Sequence, residues 1–269
     1  MIQKKIGFLG FGHMAQIIFS ALIKANLIHY SQVSFFRRDL AKSAQNQRDF
    51  GIASVSLKQL IEDSDILFLC VRPQQFCELS ESLPTFDFSG KLVISVLGGT
   101  TLSTLEKGFG CDVCLIRSMP NIASEVGQGM TILSYASSCD PTSKELAVEL
   151  FESMGQVSVL PESMMDVACG MAGSGPGFVL RLIEAMAEAG KKQGMQDADA
   201  LKIAAQTFLG AASLVLNGSK PSTLLKQIAT PQGTTAAGFE SMNQTEIDVH
   251  FTLAVEAAAK RSKQLSAPA

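Results

Sequence analysis

Short apolar runs recur through the first half of the chain, and each is separated from the next by a stretch of mixed polarity. Four such runs have the length and the nearly continuous apolar character of strands buried on both faces of a parallel sheet. They lie at residues 6–9, 33–36, 65–71 and 92–96, with helical patterns between them that include residues 14–25 and 75–83. The alternation predicts an α/β Rossmann domain, doubly wound around a mostly parallel sheet.

The pattern changes from about Pro161 onward, where strand-like runs vanish and Ala, Met and Leu dominate. Residues 178–189 and 201–216 are apolar almost all round, so helices formed there must be covered on nearly every side. A domain of about 100 residues can hardly bury such helices alone. We therefore expect a Rossmann domain over residues 1–161 and an all-α dimerisation domain over residues 162–269.

Composition supports this organisation and excludes other classes of protein. A length of 269 residues is enough for about two domains. The 22 Lys plus Arg against 25 Asp plus Glu give a net charge of −3, which argues against a nucleic-acid binder. No run reaches the roughly 18 uninterrupted apolar residues of a membrane span. Charged residues make up only 17% of the chain, which indicates surface covered by another subunit. We expect a cytoplasmic homo-oligomer that binds neither nucleic acid nor membrane.

The six cysteines indicate reduced core thiols rather than a metal site. Cys111 and Cys114 form a lone CxxC, and no second ligand pair or suitably spaced histidine completes a zinc site. The N-terminal residues 4–23 resemble a signal peptide in charge and apolarity, but polar interruptions and the glycines fit a strand, turn and helix better. No bound metal is expected.

Residues 10–15 read Gly-Phe-Gly-His-Met-Ala, the GxGxxA form of a dinucleotide-binding turn between a strand and a helix. The first glycine permits the tight turn, and the second lets the backbone approach a pyrophosphate. The free N–H groups of the following helix then face the phosphates. The alternative is a purely structural turn. The predicted cofactor-binding residues here are Gly10, Phe11, Gly12, His13 and Met14.

Arg37 and Arg38 follow the second predicted strand, where an NAD enzyme would carry an acidic residue for the ribose hydroxyls. Guanidinium groups at that position favour a 2′-phosphate. The predicted cofactor is therefore NADP(H), with NAD(H) as the second choice. The alternative is a solvated basic pair.

Proline or glycine residues end the next two predicted strands. Val71, Arg72 and Pro73 end one strand, and Gly98 and Gly99 follow the other. Because parallel strands bind ligands at their carboxyl ends, these residues are expected on the same crevice as the glycine turn.

A second anion site is indicated at residues 230–235, Thr-Pro-Gln-Gly-Thr-Thr, immediately before a predicted helix. Such a turn presents backbone N–H groups and two hydroxyls at a helix N-terminus, which suits a small carboxylate. Simple helix capping is the alternative.

These motifs occur in an order that resembles the pyrroline-5-carboxylate reductase family over almost the full length. The resemblance also includes residues 117–121 (Arg-Ser-Met-Pro-Asn), residues 173–176 (Gly-Ser-Gly-Pro) and a Gln-Thr and Gly-Ala-Ala pattern at residues 206–212. It implies a Rossmann domain, helices that intertwine with a partner subunit, and NAD(P)H-dependent reduction of 1-pyrroline-5-carboxylate, a cyclic imino acid, to L-proline.

The resemblance also assigns roles. Residues 71–73 would lie along the cofactor, and residues 119–121, including the predicted cofactor-binding residue Asn121, would approach its nicotinamide end. The loop carrying Thr230, Gln232, Gly233, Thr234 and Thr235 would bind the substrate carboxylate, and Thr235, the predicted catalytic residue, would hydrogen bond the ring nitrogen. Protonation of that nitrogen already makes the imine carbon electrophilic, so orientation of the reactants is the main requirement.

The chain departs from the family pattern at Gln232, where a glycine is usual, and at Ile122 and Ala123, where Thr-Pro is usual. One alternative is thus a non-catalytic NADP-binding protein with a degenerate substrate site. Another is a β-hydroxyacid-dehydrogenase-like oxidoreductase, but Val179 stands where that chemistry needs a lysine.

Overall fold

A computed structural model describes residues 1–110 and 113–266. The contacts between residues divide the chain into two compact units. The first comprises Met1–Ser174 together with Ala257–Ala269, and the second comprises Gly175–Glu256. The predicted boundary between residues 161 and 162 stays a prediction. The contact-based units instead divide after Ser174, and the first unit includes part of the last helix.

The first unit is built on one eight-stranded sheet. Its strand order is β3-β2-β1-β4-β5-β6-β7-β8, and every neighbouring pair is parallel except β6 and β7. This confirms the predicted doubly wound, mostly parallel Rossmann architecture. The strands are β1 Ile6–Leu9, β2 Val33–Phe36, β3 Ala53–Ser54, β4 Ile66–Leu69, β5 Leu92–Ser95, β6 Cys114–Met119, β7 Gly129–Tyr135 and β8 Gly155–Val159.

The sequence pattern did not predict β3, which has only two residues, or the last three strands. β6 contains the polar residues Arg117 and Ser118, both buried, which break its apolar run. β8 is an edge strand with mixed burial, so it carries no continuous apolar signal.

Helices cover both faces of the sheet. One face packs α1 and α6 against residues such as Phe8 and Phe68, and the other packs α3, α4 and α5 against residues such as Leu67 and Leu115. The first-unit helices are α1 His13–Lys24, α2 Leu40–Phe50, α3 Leu57–Asp63, α4 Pro73–Ser80, α5 Leu102–Phe109, α6 Pro141–Glu152 and α7 Met165–Ala168. A π-helical turn, Cys169–Gly173, follows α7.

An aromatic cluster fixes the glycine turn to the core. The Phe11 ring lies 4.8 Å from the Phe35 ring, 5.3 Å from Phe50 and 5.4 Å from Phe8, measured between centroids. Phe11 is 1% exposed, so its side chain faces the interior.

The second unit is helical throughout its described length, as predicted. Its helices are α8 Gly175–Lys192, α9 Asp197–Leu216, α10 Pro221–Ile228, α11 Thr234–Gln244 and the beginning of α12 Ile247–Ser266. Ala187, Ala200 and Ala204 form a small buried contact between α8 and α9. Many large apolar side chains stay exposed, among them Leu180, Leu201, Ile203, Leu209, Leu216 and Leu253.

One described helix, α9, is long and apolar enough to span a membrane by those two criteria alone. Only 11% of its most apolar window is buried within this chain. The expectation that no membrane is bound stays a prediction.

The last turns of α12 return to the first unit. The Ser262 hydroxyl donates a hydrogen bond to Asp166 Oδ1 at 2.6 Å. A side chain at Gly99 would place its Cβ 2.7 Å from that of Leu265, so the helix packs directly on the glycine backbone.

The expectation of reduced thiols is wrong for two cysteines, because Cys114 and Cys139 form a disulfide. The pairing of β6 with β7 brings Cys114, the first residue of β6, close to Cys139, which follows β7, and the sequence spacing does not reveal this. Cys70, Cys77 and Cys169 are free, and Cys111 lies outside the described residues.

Replacement of Phe11 by alanine should lower the free energy of unfolding by about 3–5 kcal/mol, since it empties a closely packed aromatic site. Chemical denaturation of the purified protein measures this. Leu40→Ala, at a position 81% exposed, should change it by less than about 0.5 kcal/mol. Equal effects of the two variants would contradict the assigned role of Phe11.

Candidate active site

The structure brings four of the predicted cofactor segments to one edge of the sheet. Leu9 pairs with Phe36 on one side and with Leu69 on the other, and Leu69 pairs with Ser95. β1, β2, β4 and β5 therefore end at the same level. The glycine turn, the arginine pair, residues 71–73 and the glycine pair all follow those ends.

The two glycines of the turn are required for different reasons. Gly10 has a φ of +90°, and a Cβ there would lie 2.7 Å from the Cys70 carbonyl oxygen. Gly12 is the N-cap of α1 in extended backbone, and no protein atom lies within 4 Å of the place where its Cβ would be. The space in front of the α1 N-terminus is thus open, as approach of a phosphate requires.

Phe11 contributes backbone rather than side chain to this edge. Its carbonyl oxygen accepts a 2.9 Å hydrogen bond from Arg37 Nη1 and another of 2.9 Å from Asn46 Nδ2. Arg37 is thereby fixed beside the glycine turn. Asn46, a buried residue of α2, supports the same oxygen and was not predicted from the sequence.

The second arginine is held differently. Arg38 forms an exposed ion pair with Glu78 of α4. No sequence signal pointed to Glu78, since the contact joins residues 40 positions apart.

Arg72 is exposed and precedes α4, where its backbone N–H donates to Gln75 Oε1 at 3.0 Å. Gly99 is buried with a φ of +70°, whereas Gly98 is exposed beside it. Burial raises the pKa of the nearby Cys70 thiol far above its ordinary value, so this thiol remains protonated and is not a nucleophile.

His13 and Met14 begin α1, with His13 exposed and Met14 half-buried. Asn121 is only 7% exposed, and its amide serves the fold itself. Its Nδ2 donates to Ala172 O at 3.0 Å, and its Oδ1 accepts from Ala123 N at 3.1 Å. Any contact of Asn121 with a cofactor would therefore use its backbone.

A partly buried ion pair links β6 to the connection that follows β8. Arg117 is 2% exposed, and its Nη1 donates to Glu162 Oε1 at 3.2 Å, whereas the Glu162 side chain is 32% exposed. The same oxygen accepts a 2.6 Å hydrogen bond from the Leu102 N–H at the start of α5. Glu162 therefore joins β6, α5 and the segment that follows β8.

In the second unit, residues 230–233 form a tight turn before α11. The Gly233 N–H donates to Thr230 O at 3.0 Å, and Gln232 has a φ of +64°. Proline in the second position and a positive φ in the third are typical of a type II turn, where glycine is favoured. Gln232 accepts the left-handed backbone, and its side chain is exposed.

Gly233 is the N-cap of α11, and the helix begins at Thr234. Thr235 is half-buried in the first turn. Among residues 1–110 and 113–266, no three His, Cys, Asp or Glu side chains gather where they could hold a metal ion.

A Rossmann sheet with an open glycine turn at the carboxyl ends of its strands is typical of a dinucleotide-dependent oxidoreductase. Two family models match the chain. Residues 5–99 match a model described as NADP oxidoreductase, coenzyme F420-dependent, and residues 162–265 match one described as pyrroline-5-carboxylate reductase dimerisation.

Full-length relatives define the family. The chain is 36% identical to a pyrroline-5-carboxylate reductase of Methanosarcina acetivorans, over 98% of this chain and 99% of the relative. It is 31% identical to that of Escherichia coli, over 98% and 99%. The chain belongs to the pyrroline-5-carboxylate reductase family, which confirms the resemblance.

Solved structures agree. A Plasmodium falciparum pyrroline carboxylate reductase with NADP bound superposes with a TM-score of 0.90 at 27% identity, covering 99% of this chain and 100% of that one. A pyrroline-5-carboxylate reductase from Coxiella burnetii gives a TM-score of 0.88 at 29% identity, over 99% and 100%.

Gly12→Ala should leave the free energy of unfolding within about 0.5 kcal/mol of the parent, because the new methyl group meets no protein atom. It should weaken NADPH binding at least about tenfold, because the methyl group fills the space that the pyrophosphate needs. Fluorescence titration with NADPH and chemical denaturation measure the two effects. Unchanged affinity would show that the phosphates do not approach Gly12.

Gln232→Gly should stabilise the protein by up to about 1 kcal/mol, because glycine adopts the left-handed conformation without strain and loses only part of that gain through its own flexibility. A thermal melt measures the change. Gln227→Gly, within α10, should instead destabilise by about 1 kcal/mol. Loss of stability in Gln232→Gly would mean that the glutamine side chain itself supports the turn.

Proposed function

We propose that this protein is an NADPH-dependent reductase that converts 1-pyrroline-5-carboxylate to L-proline. The observation that carries the proposal is the identity of 31–36% over nearly the whole chain to the named relatives above. The β-hydroxyacid-dehydrogenase alternative loses its support, because those relatives cover both units.

The residues of the first unit fit the cofactor. The open space at Gly12 and the N-terminus of α1 suit a pyrophosphate, and Arg37, fixed on the Phe11 carbonyl, suits a 2′-phosphate. The relative from P. falciparum carries NADP. When bound, NADPH supplies the hydride.

The turn before α11 would hold the substrate. The N–H groups of Thr234 and Thr235 lie at the start of an 11-residue helix, where the helix dipole favours a carboxylate. The Thr235 hydroxyl would hydrogen bond the ring nitrogen and stabilise the amine as it forms. Because the protonated imine is already electrophilic, these residues need only orient it.

The exposed apolar helices of the second unit support a homo-oligomer. Their sequence matches a dimerisation model, and large apolar side chains such as Leu201 and Leu209 lie open on α9. A second copy covering them satisfies the hydrophobic effect without a membrane. We also propose that the enzyme acts in the cytoplasm, because the proposed reaction belongs to amino-acid biosynthesis.

The remaining alternative is a protein that binds NADP without turnover, as the departure at Gln232 would permit. It predicts NADPH binding with no oxidation of NADPH when the imine is supplied. The left-handed backbone at Gln232 argues for a preserved turn, because the glutamine takes the conformation that a glycine would take.

Steady-state assays of NADPH oxidation with 1-pyrroline-5-carboxylate test the proposal directly. The parent protein should turn over, and Thr235→Ala should lower kcat/KM by about 10- to 100-fold, the cost of one hydrogen bond to a charged group. Thr245→Ala, at the opposite end of α11, should change it less than about twofold. Absence of turnover in the parent would refute the proposed reaction.

A further inference from the structure

The two arginines after β2 differ in their exposure and in their hydrogen-bond partners. Arg37 is half-buried and donates to the Phe11 carbonyl oxygen, so its position is set by the glycine turn. The Arg38 side chain is 49% exposed and is paired with Glu78, whose side chain is 61% exposed. Only Arg38 already has an anionic partner.

We infer that Glu78 lowers the preference for NADP(H) over NAD(H) by competing with the 2′-phosphate of NADP(H) for Arg38. The inference rests on the proposed use of NADPH, and it assigns to an acidic residue of α4 a specificity role that its sequence position does not reveal.

The geometry places the pair where it would meet the adenosine half of a dinucleotide. Arg38 follows β2, and Glu78 lies on α4, which follows β4. These strands flank β1 on its two sides, so the ion pair connects the segments on either side of the glycine turn. In this fold the residue that recognises the ribose 2′ position follows β2.

The neighbouring acid, Asp39, has another task. Its Oδ1 accepts the Lys42 N–H at 3.0 Å and caps α2. Glu78, in contrast, has no helix-capping role, and its carboxylate is directed to Arg38. It is therefore the acid whose removal alters Arg38 without disturbing the fold.

The strengths of the two interactions decide the direction of the effect. An exposed ion pair contributes little, up to about fivefold in an equilibrium constant. A phosphate carries nearly two negative charges and three acceptor oxygens, so it displaces the carboxylate from Arg38. NADPH binding therefore loses the free energy of the Arg38–Glu78 pair. This loss weakens NADPH binding moderately and leaves NADH binding unaffected, because a 2′-hydroxyl brings no charge that would break the pair.

The test measures the dissociation constants of NADPH and NADH by fluorescence titration of the full-length protein, with no substrate present. Glu78→Gln should tighten NADPH binding about two- to fivefold and change NADH binding less than about 1.5-fold. Glu81→Gln, just beyond the same helix, should change neither. Titration with adenosine 2′,5′-bisphosphate against adenosine 5′-phosphate should repeat the selective gain.

The route through Arg38 has its own test. In an Arg38→Ala background, Glu78→Gln should tighten NADPH binding less than about twofold, since no cation is left to compete for. Arg37→Ala should weaken NADPH binding whether or not Glu78 is present. A full gain without Arg38 would mean that Glu78 acts by simple repulsion and would overturn the competition.

Other outcomes also decide the matter. Weaker NADPH binding in Glu78→Gln, or equal changes for both cofactors, would overturn the inference, because Glu78 would then orient Arg38 or act on the whole cofactor. Selective tightening in a protein that fails to reduce the imine would support the inference while refuting the proposed reaction. A parent protein that binds neither cofactor would refute both.

Discussion

The double hydrogen bond to the Phe11 carbonyl oxygen is the interaction on which the cofactor edge depends. The Phe11 ring is buried among four other phenylalanines, and its carbonyl oxygen accepts hydrogen bonds from Arg37 and Asn46. One residue thus links the hydrophobic core to the glycine turn and to the cation beside it. A rigid core positions the backbone more accurately than a surface loop could, which suits the proposed binding of phosphates by backbone N–H groups.

The two units meet different physical requirements. The first buries both faces of its sheet, so the loops at the carboxyl ends of the strands are the part of the sheet that a ligand can reach. The second buries little more than three alanines between α8 and α9, so its stability depends on apolar surface that another copy must cover. The first unit therefore has an extensive core within a single chain, whereas we expect the stability of the helical unit to rise with protein concentration.

Local pattern was sufficient for β1, β2, β4 and β5, whose apolar runs lie between polar segments, and for the glycine turn, whose residues are consecutive. It was insufficient wherever a feature depends on distant contacts. The burial of Arg117 in β6 could not be predicted, because its ion-pair partner Glu162 lies 45 positions away in the sequence. The disulfide between Cys114 and Cys139 likewise depends on the pairing of β6 with β7. Glu78 is an ordinary helical acid until the fold places it beside Arg38. At Gln232 the local sequence was misleading in another way. Its positive φ follows from the neighbouring proline and glycine, although glutamine itself disfavours this conformation.

The return of α12 to the first unit has a consequence for how the molecule is made. Gly99 is covered by Leu265, and Asp166 is bound by Ser262, so the dinucleotide-binding unit is completed by residues synthesised more than 160 positions after the glycine pair. As a nascent chain leaves the ribosome, the sheet has formed long before these partners emerge. The backbone at Gly99 is therefore covered by Leu265 only after all of the helical unit has been translated, so this part of the first unit reaches its final packing last.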